Sequence, residues 1–139
     1  GNTTQFGDLI VGRRQFVGGG SSAIRGLFGG GYGPQKSTVD RIDYSNDTAT
    51  ATAKGPLSSA GGYQGATGNA NFGYFAGGDP SFKSTVDRID YSNDTANATP
   101  KGPLGVGRNR LSAVSARASG FTAILGPALV TNTPEPFFP

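Results

Sequence analysis

The chain has 139 residues, of which 35% are hydrophobic and 24 are glycine, and it contains no histidine, cysteine, methionine or tryptophan. The net charge is only +3 and the arginines are scattered, whereas a nucleic-acid-binding surface needs clustered basic residues with aromatic residues between them. Without histidine and cysteine, the common catalytic triads and soft-metal sites are excluded. The chain also lacks an apolar run of about 18 residues, so we predict neither a nucleic-acid partner nor a membrane partner.

A 21-residue segment occurs twice, at residues 37–57 and 84–104, with an offset of 47 residues (84 minus 37). Nineteen of the 21 positions agree, and the differences are Thr50 against Asn97 and Ala53 against Pro100. Repetition at this length is typical of solenoids, propellers and other arrays, in which each unit buries its apolar face against its neighbours. We therefore expect a repeat domain over residues 1–130, with units at about 9–57, 57–104 and 104–130, and a separate tail at 131–139.

Each repeat unit is predicted to be four antiparallel β-strands. Glycine interrupts every stretch that has helical periodicity, and the alternation of apolar and polar residues favours strands instead. The predicted first strands are residues 15–19, 64–68 and 111–115, and the second strands are 23–28, 71–76 and 119–125. The predicted third strands are 38–44 and 85–91, and the fourth are 48–53 and 95–99.

Two kinds of turn connect these strands. Ser45-Asn46-Asp47 is a short polar link whose side chains can bond their own backbone, which predicts a hairpin between the third and fourth strands. The glycine pairs after the second strands predict positive φ angles or close backbone contacts at a bend.

The recurring acidic residues are predicted to have structural roles. Asp40 with Asp43, and Asp87 with Asp90, are three residues apart and so lie on opposite faces of a strand, where they cannot converge for acid–base catalysis. Arg41 and Arg88 follow Asp40 and Asp87 directly, and these charges are expected to form hydrogen bonds and ion pairs between units. We predict no catalytic residue, cofactor or metal; Ca²⁺ at Asp47 or Asp94 is less favoured than a plain turn.

Two further sets of residues are candidate sites. The N-glycosylation pattern occurs at Asn2, Asn46, Asn93 and Asn97, and chance matches are common in threonine-rich strands. In the proline-rich tail, Phe137 and Phe138 are costly to expose and are predicted to contact another subunit.

The order of motifs resembles the kelch-type β-propeller blade. Tyr74-Phe75-Ala76-Gly77-Gly78 matches its glycine doublet, Asp90-Tyr91-Ser92-Asn93-Asp94-Thr95 matches its third-strand tyrosine and turn, and Gly102-Pro103-Leu104 with Arg108 matches its proline and arginine. The tryptophan that usually follows the turn is missing. The resemblance implies an all-β fold of kelch-like four-stranded antiparallel blades. About three blades fit the chain, whereas closed propellers have about 4–8, so we expect an array that is open or completed by oligomerisation.

Three phrases are similar to repeat-bearing virion structural proteins of marine tailed phages, especially phages of cyanobacteria: Phe6-Gly7-Asp8-Leu9, residues 24–31 and residues 42–49. This resemblance implies a non-enzymatic particle component, such as a fibre, an appendage or a surface scaffold that binds the host surface. Its expected location is the virion, and its expected partners are other copies, other virion proteins and a host-surface glycan or protein. The alternatives are a secreted, N-glycosylated fibril subunit, which would be extracellular, and a kelch-like protein-binding module.

Overall fold

The computed structural model describes residues 4–5, 7–14 and 18–115, and their regular structure is β apart from two single-turn 3₁₀ helices. The first sheet has the order β1-β2-β3-β4 and the second β5-β6-β7-β8, with every neighbouring pair antiparallel. The strands of the first sheet are β1 Gly18–Ser21, β2 Arg25–Gly29, β3 Val39–Asp43 and β4 Thr52–Lys54. Those of the second are β5 Gly65–Gly68, β6 Phe72–Ala76, β7 Val86–Asp90 and β8 Thr99–Lys101. The prediction of an all-β fold is confirmed.

Each copy of the sequence repeat forms one of these sheets. Every strand of the second sheet begins 47 residues after its counterpart in the first, as β6 at Phe72 follows β2 at Arg25. The 3₁₀ turns Tyr44–Asn46 and Tyr91–Asn93 obey the same offset. Equal sequence therefore gives equal local structure in both copies.

The hydrophobic core lies between the two sheets. Leu27 and Val39 project from the first sheet and are fully buried, while Phe75 and Ile89 project from the second and are 1% and 2% exposed. Leu57, in the segment that joins the sheets, completes the centre of this core. Burial of each large side chain contributes about 1.5–3 kcal/mol, so the packing of one sheet on the other is the main source of stability.

A linking segment precedes each sheet, around Gly7 for the first and around Gly55 for the second. Each linking segment binds the backbone of the hairpin between the third and fourth strands of that sheet. Gly7 N donates to Asp47 O at 2.8 Å, and Gly55 N donates to Asp94 O at the same distance. A Cβ added to Gly55 would collide with the carbonyl oxygen of Ala96, so only glycine fits this close backbone contact. The linking segments thus hold the sheets in a regular series.

The predicted bends after the second strands are confirmed. Gly30 and Gly31 have φ angles of 72° and 119°, and Gly77 and Gly78 have φ angles of 69° and 107°. These left-handed conformations are readily available only to glycine.

Two strand predictions were wrong in their bounds. The fourth strands begin at Thr52 and Thr99, later than expected, because a further turn follows each 3₁₀ turn and occupies the start of the predicted strand. The next residues bond the linking segment instead of the sheet, as Ala51 N does to Asp8 O at 2.8 Å. Residues 111–115, predicted to be a first strand, form no strand, and their expected partner at 119–125 lies outside the described residues.

Candidate functional site: the contact between the sheets

The two sheets are joined at their outer edge by a cluster of charges around Asp94, which we call the Asp94 cluster (Asp94, Arg25, Arg41 and Lys54). Asp94 Oδ2 lies 2.6 Å from Arg41 Nη1, and Asp94 Oδ1 lies 3.2 Å from Lys54 Nζ. Arg25 Nη1 is more distant from the carboxylate, at 4.0 Å. Asp94 comes from the turn of the second sheet and the three cations come from the first sheet, so this ionic contact fixes one sheet on the other. The prediction that Arg41 forms an ion pair between units is confirmed.

Tyr91 lies beside this cluster, between the sheets. Arg25 Nη1 donates to Tyr91 O at 3.0 Å, and the guanidinium lies 5.5 Å from the centre of the Tyr91 ring. The ring is 8% exposed and covers the glycine positions Gly68 and Gly73. Burial raises the pKa of Tyr91 to about 12.

This pKa predicts an alkaline loss of stability. The folded chain holds the Tyr91 proton more tightly than the unfolded chain, whose tyrosine has a pKa near 10.0. The resulting stabilisation is complete below about pH 10 and is lost as the pH rises through about 12, by up to about 2–3 kcal/mol. Tyr91→Phe is expected to remove this part of the pH dependence, measured by denaturant unfolding from neutral to alkaline pH. Its stability at neutral pH should change little, since the Tyr91 hydroxyl has no hydrogen-bond partner among the described residues.

The matched control is Tyr44→Phe at the equivalent position of the first repeat. Tyr44 is 48% exposed and lies outside the contact between the sheets. The alkaline loss should persist in this variant; an equal loss of pH dependence in both variants would contradict the assignment to Tyr91.

A second buried ion pair joins Arg13 to Asp40 on β3 of the first sheet. Arg13 Nη2 lies 2.9 Å from Asp40 Oδ1, and both side chains are 1% exposed. Arg13 also donates to the carbonyl oxygens of Gly30 and Thr38, at 2.5 and 2.9 Å. Sequence reasoning missed this anchor, although the return of Val-Gly-Arg at residues 106–108 was a signal that an arginine has a fixed place after the linking segment.

The two acidic residues of each third strand lie on opposite faces of the sheet and do not converge. Asp40 and Asp87 are 1% and 2% exposed, and Asp87 Oδ2 accepts a hydrogen bond from Ser58 N at 2.8 Å. Asp43 and Asp90 project from the opposite face, as the alternation predicts. The described part of the chain contains no group of three or more acidic residues that could hold a metal ion.

Three of the four glycosylation candidates lie between the third and fourth strands: Asn46 and Asn93 are in the 3₁₀ turns, and Asn97 lies just before β8. Asn46, Asn93 and Asn97 are exposed, and the use of these positions stays a prediction. Asn2, Phe137 and Phe138 lie outside the described residues.

The comparisons with known proteins add no family assignment: no protein-family model matches the chain, and no curated protein does so either. Within residues 4–5, 7–14 and 18–115, no helix has the length and apolar character needed to cross a membrane.

Proposed function

We propose that the chain is a non-enzymatic structural protein of a phage particle, acting in a fibre, an appendage or a surface scaffold. The observation that carries the proposal is that the repeated segment joins the two sheets. Its third strand, turn and fourth strand supply Arg41, Lys54, Tyr91 and Asp94, which join one sheet to the next. A repeated segment whose residues join one unit to the next is more typical of an assembly protein than of an enzyme with a single active site.

In this proposal each four-stranded sheet is one kelch-like blade, and the array is open or completed by oligomerisation. Two such sheets lie in the described part of the chain, whereas closed propellers have about 4–8 blades. Repeat arrays need a neighbour or a polar cap on each end face, which supports other copies and other virion proteins as partners.

Binding to a host-surface glycan or protein belongs to the connecting loops at residues 31–37 and 78–84. Loops carried on a rigid sheet are the usual place for binding residues. Phe82 in the second loop is 64% exposed, and an aromatic side chain at such a tip suits contact with either a sugar ring or an apolar protein surface.

Each alternative rests on a specific observation. Exposure of Asn46, Asn93 and Asn97 favours a secreted, N-glycosylated fibril subunit. The connecting loops at residues 31–37 and 78–84 favour a kelch-like protein-binding module. Intact mass of the native protein separates the first alternative, because added hexose would replace the phage proposal with the secreted one.

Electron microscopy of native material with antibody labelling tests the proposal. Labels are expected on phage particles, at tails, fibres or surface projections. Labelled filaments without particles would support the secreted fibril instead, and labelled discrete discs from cells would support the binding module.

A further inference from the structure

The two sheets have the same strand order and register, but only one side of each is covered by the other. The surface of the first sheet that faces the second carries Arg25, Arg41 and Lys54, which hold Asp94. The equivalent positions of the second sheet, 47 residues later, are Phe72, Arg88 and Lys101, and they lie on its outer surface. We call these three residues, together with Gly102, the open cradle.

The open cradle keeps the cationic character of the Asp94 cluster without its carboxylate. Among the described residues neither Arg88 nor Lys101 forms an ion pair within 4.0 Å, and Lys101 is exposed. The Arg88 guanidinium lies 4.3 Å from the centre of the Phe72 ring, and its buried Nε has no hydrogen-bond partner within the described part of the chain. Arg88 is therefore held by the Phe72 ring, and Lys101 lies on the same face of the sheet, with no ion-pair partner for either side chain among the described residues.

The first sheet carries the complementary surface on its own outer side. Tyr44 and Asp47 are equivalent to Tyr91 and Asp94, but Tyr44 is 48% exposed while Tyr91 is 8% exposed. In the described ranges Asp47 forms no ion pair with a basic residue, whereas Asp94 contacts three. The same turn that fits between the sheets is thus presented a second time, at the opposite end of the pair.

The open space around Gly102 is an independent indication that a hairpin can bind there. A Cβ on Gly7 would collide with the Ala49 carbonyl and one on Gly55 with the Ala96 carbonyl, because each glycine lies directly on a hairpin. A Cβ on Gly102 would meet nothing within 4 Å in the described structure. Within the described residues, the third member of this series has no hairpin against it.

We propose that the open cradle binds the Tyr44–Asp47 turn of a second copy of this chain, so that copies associate head to tail. This inference rests on the proposed assembly function and names its surface. Asp47 of the neighbour lies between Arg88 and Lys101, as Asp94 lies between Arg41 and Lys54, and the Tyr44 ring lies against Phe72. Gly102 and Pro103 take the place on the neighbour's turn that Gly7 and Asp8 hold in the free chain, in an exchange of equivalent backbone hydrogen bonds.

Leu111 limits the contact to the part of the surface around the open cradle. A Cβ added to Gly65 or Gly77 would meet Leu111, just as a Cβ added to Gly30 in the first sheet would meet Gln64. The part of the surface near Gly65 and Gly77 is therefore already covered by the same chain. The two partner surfaces differ from each other, so the interface is heterologous and can continue from copy to copy.

Analytical ultracentrifugation of the full chain over a range of concentrations tests the inference. The wild-type mass should rise with concentration, and more weakly at high salt, because the contact is between opposite charges. Gly102→Ala should abolish the rise, since the added methyl meets only the neighbour's turn. At a concentration where the wild type is monomeric, the two melting temperatures should be equal. Gly105→Ala, also in open space, is the matched control and should associate as the wild type does.

Variants with reversed charges give a second, independent test of the interface. Lys101→Glu should weaken association by about tenfold or more, and the double variant Lys101→Glu with Asp47→Lys should recover much of it. A monomeric wild type, or equal association of all variants, would overturn the inference. If antibodies against the chain label phage particles but the purified chain is monomeric, the proposed function stands and only this interface is ruled out.

Discussion

Replacing Asp94 with asparagine is expected to lower the free energy of unfolding by about 2–4 kcal/mol. The substitution removes the counter-charge of Lys54 and the shorter of the two ion pairs of Arg41, which then keeps only Asp43, and the Asp94 side chain is only 7% exposed. Loss of one partner from a buried ion pair costs more than the pair itself contributes, because the remaining charges stay desolvated. Equilibrium unfolding in urea, followed by far-ultraviolet circular dichroism, measures the effect.

The sequence repeat supplies a matched control for this prediction. Asp47→Asn makes the same change at the same position of the first turn, where no ion pair is formed within the described residues. At a protein concentration low enough to prevent association, its cost should stay within about 0.5 kcal/mol, as for an ordinary surface substitution. Equal costs at the two positions would show that the Asp94 cluster does not join the sheets.

Phe75→Ala is expected to destabilise the fold by about 3–5 kcal/mol, enough to unfold much of the population of so small a β-structure. Phe75 is 1% exposed and its ring fills the space above Gly29, where an added Cβ would lie 2.7 Å from a ring carbon. Truncation would leave a cavity in the core between the sheets, and the rigid strands on both sides cannot collapse into it. Thermal unfolding followed by circular dichroism should show the loss directly.

Phe28→Ala is the control, because Phe28 occupies the equivalent place in the first repeat and is only partly buried. Its cost should be clearly smaller than that of Phe75→Ala. A larger cost at Phe28 would mean that the outer surface of the first sheet is covered in solution, which at low concentration would argue against the packing described.

Much of the local structure could be predicted because it depends on local patterns. Alternation along residues 38–44 and 85–91 identified the third strands, and the glycine pairs identified the bends with positive φ. The start of the fourth strand was predicted too early. In isolation Thr48-Ala49-Thr50 has the composition of a strand. The residues on either side of it, Asp47 and Ala51, instead bond the backbone of a segment that lies about 40 residues earlier in the chain.

The Arg13–Asp40 pair shows the same limit. Arg13 is adjacent to Arg14 in an otherwise small and polar stretch, so composition alone makes both of them surface residues. The fold places Arg13 among the carbonyl oxygens at the end of β2, while Arg14 stays exposed. Which of two neighbouring arginines is buried depends on the path of the linking segment over the sheet.

Local sequence patterns were enough to predict the all-β class, the 47-residue spacing and the correspondence of the two sheets, because strand alternation and turn conformation depend on residues close together in the chain. Which copy of each repeated residue is covered depends on the packing of one sheet on the other. Tyr44 and Tyr91, like Asp47 and Asp94, have almost the same sequence around them and yet different exposure. Burial depends on whether another sheet lies opposite, and a residue's own neighbours in the sequence carry no information about that.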